Sequence, residues 1–142
     1  MGDSNCDETK SIPPQINGDD MLHLHLDMCI DFKNYERVKK MWGEEIVLVR
    51  RIGYTCKLMV VNGGWTCSTH HHQMKDETFV CLSGCGTVYL NGVAISVMAG
   101  DKVEVPNNTP HSFRSATGMV LMEVSTFDDP DDNVRTQLSR KI

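Results

Sequence analysis

Gly64-Trp65-Thr66-Cys67-Ser68-Thr69-His70-His71-His72-Gln73-Met74-Lys75-Asp76-Glu77, followed by Gly84, is the stretch on which the reading of this chain turns. In an extended segment, side chains alternate between faces, so His70 and His72 point one way and His71 the other. Two imidazoles can then reach one ion. The four residues between His72 and Glu77 are enough for a tight turn, which lets Glu77 open the next strand and offer a carboxylate beside them. His111, directly after Pro110, can supply a third imidazole if the sheet closes on itself. Three neutral imidazoles and a carboxylate suit a borderline divalent metal (manganese, iron, nickel, cobalt or zinc) and leave coordination positions open. A second His-x-His, at His23 and His25, has no carboxylate at a matching distance and reads as surface or packing.

Working outward, the chain from Glu45 onward breaks into short apolar and β-branched runs separated by turn residues: 46–51, 54–61, 78–82, 87–90, 93–98, 102–105 and 119–124. That spacing marks an all-β sandwich or barrel. Asn91-Gly92 is a two-residue hairpin signal, because both central residues of such a turn need positive φ. Gly100-Asp101 begins another turn, and Pro106 followed by Asn107-Asn108 ends a strand. Upstream, Leu22, Leu24 and Leu26 alternate as in a strand, whereas Tyr35 to Lys40 favours a short helix or turn. Residues 1–20 are polar, carry Pro13-Pro14 and read as a flexible tail, which leaves 21–142 as a single domain.

Composition narrows the function classes. The net charge of −5, with 14 Lys and Arg scattered along 142 residues, gives no field for a phosphate backbone, so nucleic acid is not an expected partner. No apolar run is long enough to cross a membrane, and the first 20 residues lack an apolar signal region, so a soluble, cytoplasmic protein is expected. In that compartment the six cysteines, at 6, 29, 56, 67, 81 and 85, are expected as free thiols, and the Cys81 to Cys85 spacing is not a specific ligand pair.

The pattern around the histidines resembles the two motifs of the cupins. The first motif is matched at Gly64, His70, His72, Glu77 and Gly84, and the second at Gly100, Pro106 and His111. Asn108 stands where the second motif has Gly, and Ser115 where it has Asn; Asn tolerates the left-handed backbone that Gly would supply. The resemblance covers roughly residues 42–127. It implies a cupin double-stranded β-helix, or jelly-roll barrel, with one divalent metal near its centre on His70, His72, Glu77 and His111, and it implies a homodimer. Trp42-Gly43, the entry Ser68 to His72, and Glu123-Val124-Ser125-Thr126 followed by Asp131-Asp132-Asn133-Val134-Arg135 are similar to the cupin domain of type II phosphomannose isomerases.

The expected activity is therefore that of a metal-dependent isomerase or epimerase of a small sugar or sugar phosphate, with a small molecule as its partner. Glu77 or a metal-bound hydroxide is the candidate for moving a proton. Lys75 is a candidate for catalysis and substrate binding, as a cation that could meet a hydroxyl, an enediolate or a phosphate, and equally reads as a solvated turn residue. Phe113, two residues after His111, shares its inward face and is expected to line the substrate cavity. Trp65 and Tyr89 could cover a sugar face or simply pack. The acidic segment from Asp128 to Asp132 reads as a solvated turn. Two rivals remain, an iron-dependent dioxygenase using the same ligands and a non-catalytic sugar-binding module.

Overall fold

The computed structural model describes residues 22–24 and 28–142, so the tail expected over 1–20 and the pair His23/His25 fall outside what can be described of side chains. The described residues form strands and turns with no helix. In chain order the strands are β1 (Leu22–Leu24), β2 (Met28–Ile30), β3 (Glu36–Lys40), β4 (Gly43–Arg51), β5 (Tyr54–Val61), β6 (Trp65–Thr66), β7 (Thr69–His71), β8 (Glu77–Leu90), β9 (Val93–Met98), β10 (Lys102–Val105), β11 (His111–Ser115), β12 (Met119–Ser125), β13 (Val134–Gln137) and β14 (Arg140–Lys141). Apart from the β1–β2 pair, one antiparallel sheet runs β13-β7-β11-β8-β12-β5-β4-β3, with β9 and β10 also on β8, and β6 between β11 and β14. This is the all-β jelly-roll barrel.

The curl of that sheet depends on β8. Its first half pairs with β10 and β12, its second half with β9 and β11, so one continuous strand serves both walls of the barrel. Gly84 sits at the change-over with φ of 73°, and a Cβ there would lie 2.2 Å from the Gly118 carbonyl oxygen. Only glycine meets both demands. The opposing register on β12 shifts between Val120 and Leu121, the bulge that lets the sheet bend at this point. The two runs expected at 78–82 and 87–90 are thus halves of one bent strand. At the next hairpin Asn91 and Gly92 have φ of 49° and 78°, as the turn chemistry requires.

Alternation decides what fills the barrel. Inward positions carry Met59 and Val61 from β5, Phe79 and Cys81 from β8, Val103 and Val105 from β10, and Met119 and Leu121 from β12, packed with Trp42, Val88 and Phe113. A second cluster of Phe32, Ile46, Leu58, Val60 and Val120 lies on the opposite face of β4, β5 and β12. The sheet is covered on both sides there.

Two expectations are corrected. Tyr35 to Lys40 is not helix or turn: β3 pairs in register with β4, and Arg37 and Glu36 form ion pairs with Glu44 and Arg50 of that strand. A six-residue window is too short for helical periodicity to outweigh an available sheet edge, and its charges suit an edge strand. The cysteines are not all free: Cys56, Cys67 and Cys81 are free thiols, but Cys85 is disulfide-bonded. Among the described residues no helix is long and apolar enough to cross a membrane.

Candidate metal centre

Register brings the histidines together. His70 on β7 stands directly opposite His111 on β11, and directly opposed residues share a face. His72 lies one residue beyond the end of β7, where its carbonyl accepts the Asn108 N–H at 2.6 Å. Asn108 has φ of 55°, so it takes the left-handed conformation expected of a glycine substitute. The potential ligand atoms of His70, His72 and His111 all lie within 4.8 Å of one another and could hold a metal ion. His71 stays outside that group.

Each of the three rings is held in the same way. Nδ1 of His70 is 2.9 Å from the Ser68 carbonyl oxygen, Nδ1 of His111 is 2.8 Å from that of Thr109, and Nδ1 of His72 is 2.5 Å from that of Asp132. A carbonyl only accepts, so each Nδ1 carries the hydrogen and each Nε2 keeps its lone pair. This is the outer-shell bonding that orients metal-binding histidines. Burial pushes the His70 imidazole down to about 3, with His111 adding to the effect, and burial also lowers His72. Neutral imidazole is the form that coordinates metal.

Glu77, the first residue of β8, lies beside the three histidines. Its Oε2 lies 3.0 Å from Nε2 of His111 and its Oε1 lies 3.5 Å from Nε2 of His72. Glu77 Oε2 and His111 Nε2 are both buried, and neither has a hydrogen-bond partner. With Nε2 of His111 unprotonated, these are two facing acceptors 3.0 Å apart, and a divalent metal bound beside them would satisfy both. Burial raises the Glu77 carboxyl, but with His111 neutral the Lys75 ammonium, 2.8 Å away, still works against that and favours the carboxylate.

Lys75 is only 4% exposed and belongs to the interior. It is not the solvated turn residue that the sequence allowed. Its Nζ lies 2.8 Å from Glu77, 3.1 Å from Glu123 and 3.1 Å from Asp128. Asp128 in turn lies 2.7 Å from Lys57, which also approaches Glu45 at 3.7 Å. Burial lowers both lysines, but Glu123 and the neighbouring carboxylates reverse the effect and raise them, so both ammonium groups stay charged. The polar end of the barrel thus holds two ammonium groups among the four carboxyls of Glu45, Glu77, Glu123 and Asp128. Burial raises the Glu123 carboxyl, which lessens the excess of acid among these groups.

The acidic segment read as a solvated turn is instead a clasp. The Asp132 carboxylate accepts the N–H groups of Gln73, Met74 and Lys75 at 2.6, 3.0 and 3.1 Å, while its own carbonyl receives His72. From the other side Asp76 accepts the Asn107 N–H at 2.8 Å and exchanges main-chain and hydroxyl bonds with Thr126. The 72–76 loop is fixed at both flanks. Phe113 is 2% exposed and packs edge-on against Trp42 and Phe79, with Phe79 next to His111. Trp65 and Tyr89 stack under Lys141 and Arg114.

Sequence reasoning missed Lys57, Glu123, Asp128 and Asp132. A signal existed for Glu123, a charged residue in phase with inward Leu121 on an apolar strand. For Asp132 the only signal was the family resemblance of its segment, since its partners lie 57–60 residues away.

Residues 57–125 match the cupin domain family. A 45-residue stretch, 32% of this chain, is 44% identical to quercetin 2,3-dioxygenase of Bacillus subtilis (strain 168), and 71 residues, 49% of the chain, are 34% identical to an uncharacterized protein of Aquifex aeolicus (strain VF5). These matches span 13% and 59% of the two relatives. Among solved structures, the Streptomyces nucleoside dehydratase Pac13 superposes with a TM-score of 0.64 at 22% identity, over 76% of this chain and 89% of that one, which is a likeness of fold. The matched segment, the barrel built on it and the convergence of its histidines agree, and the chain belongs to the cupin superfamily.

Proposed function

We propose that this cupin is a metal-dependent isomerase or epimerase of a small sugar or sugar phosphate, with one divalent ion on His70, His72, His111 and Glu77. The observation that carries the reading is the pair of buried, facing acceptors, Glu77 Oε2 and His111 Nε2, within a set of imidazoles whose Nε2 atoms are all left free. When bound, the ion supplies Lewis acidity that polarises a carbonyl and an adjacent hydroxyl.

The residues divide the remaining work. Lys75 holds Oε1 of Glu77 and so fixes the carboxylate with Oε2 toward His111, where it would hold the ion. Lys75 is a positioning residue, because its ammonium is committed to carboxylates. Phe113 packs on Phe79, which in turn packs on His111, and keeps that wall apolar. A homodimer, as the family resemblance implies, is part of the proposal and is checked by sedimentation.

The test is a panel of aldoses and ketoses, free and phosphorylated, incubated in deuterium oxide with metal-loaded protein. Deuterium entering at the carbon next to the carbonyl, and its loss in Glu77→Gln, are expected; no exchange with any member of the panel defeats the proposal. The local 44% identity to quercetin 2,3-dioxygenase favours a second reading, an iron-dependent dioxygenase. Oxygen uptake that requires ferrous iron selects it. Sugar binding without turnover, unchanged in Glu77→Gln, selects a non-catalytic module.

A further inference from the structure

We infer that Arg135 is the anion-binding residue of the site, and that the substrate carries an oxyanion, a phosphate or a carboxylate, close to the carbonyl and hydroxyl pair. The inference rests on the metal-centre reading above and adds the substrate's charge to it.

The register of β13 provides the placement. Arg135 stands directly opposite His70, and His70 stands directly opposite His111, so the three residues form one row across β13, β7 and β11. Opposed residues share a face, with their Cβ atoms about 5 Å apart. The register shifts between Arg135 and Gln137, a bulge that puts Gln137 opposite Thr69, with which it bonds at 3.3 Å, while Arg135 stays opposite His70. Arg135 is therefore on the histidine face, and it is exposed where His111 is 1% exposed. The row runs from the buried centre out to solvent.

Charge supplies the second part. Lys57 and Lys75, the interior cations beside the site, are buried and each already faces two or more carboxylates. Among the described residues no ion pair engages Arg135. A guanidinium next to the ligand of a divalent cation is repelled by that cation, and an anion placed between them turns the repulsion into attraction on both sides. The planar, five-donor fork of arginine matches phosphate and carboxylate oxygens. Asp132, three residues earlier, is anchored by its bonds to the 73–75 main chain, so the start of β13 has little freedom relative to the histidines.

Calorimetry on the metal-loaded protein tests this with dihydroxyacetone, dihydroxyacetone phosphate and hydroxypyruvate, which share a carbonyl and adjacent hydroxyl and differ in charge. Wild type is expected to bind at least one of the two anions about tenfold to a hundredfold more tightly than dihydroxyacetone. Arg135→Gln should remove that preference with dihydroxyacetone affinity and metal content unchanged, and Arg135→Lys should restore part of it. Preference for dihydroxyacetone phosphate alone assigns the anion as phosphate; preference for hydroxypyruvate alone assigns a carboxylate. An anion preference that survives Arg135→Gln, or no preference in a wild type that binds dihydroxyacetone, overturns the assignment and leaves the metal centre standing. If wild type binds none of the three, the sugar reading falls and the Arg135 assignment falls with it.

Discussion

Replacing Lys75 with methionine isolates the charge logic of the site. Methionine keeps most of the side-chain volume and removes the ammonium, so Glu77, Glu123 and Asp128, which approached it at 2.8, 3.1 and 3.1 Å, are left facing one another in the interior. Breaking a buried ion pair by deleting one partner costs about 3–5 kcal/mol. At this chain length that corresponds to a fall in Tm of about 10–15 °C. The pH dependence follows from the sign of the shifts. Glu77 is held low in the wild type, so its contribution is present above the unfolded carboxyl value and is lost as pH falls toward the folded one. Without Lys75, burial pushes the carboxyls up, and their repulsion is relieved on protonation. The gap between wild type and Lys75→Met is therefore widest near neutral pH and narrows toward pH about 5. Thermal unfolding of the metal-free proteins at several pH values measures it. A gap under about 3 °C, or one that widens on acidification, refutes the reasoning.

Asp132→Ala should weaken metal binding about tenfold to a hundredfold, read by chelator competition, because it frees the 73–75 main chain and with it His72; Asp131→Ala, in the same acidic run, should not. The metal-free protein should lose stability as pH falls from about 6.5 toward about 3, since the unfolded chain binds a proton at His70 that the folded chain refuses; stability flat across that window contradicts the buried, neutral imidazole. Asn108→Gly should leave the melting temperature nearly unchanged, whereas Asn108→Val should cost about 1–3 kcal/mol by forcing a β-branched residue to positive φ. Equal effects of the two substitutions would show that the left-handed turn is not what Asn108 provides.

The histidine cluster was legible because it is written locally. His70, Glu77 and Gly84 lie within one stretch, and a period of two separates His71 from its neighbours without any knowledge of the fold. The runs at 54–61, 93–98 and 102–105 were legible for the same reason, being alternating segments between strong turns. What escaped was long-range or short. β13 and β14 are brief, exposed strands that exist because β7 and β6 offer edges, and nothing in their own residues demands extension. Lys75 read as a turn lysine because its carboxylate partners Glu123 and Asp128 lie 48 and 53 residues away. The same segment that hid Asp132 in an acidic run placed Arg135 beside His70. Sequence resemblance pointed to that segment, and only the register shows what it approaches.

Elemental analysis of protein purified without a His tag, wild type beside a His70→Ala, His111→Ala double variant, tests the metal centre most directly. About one equivalent of a single transition metal in the wild type, lost in the variant, is the predicted result. No metal in either protein after reconstitution with manganese, iron, nickel, cobalt or zinc would contradict the account and leave the barrel without its centre.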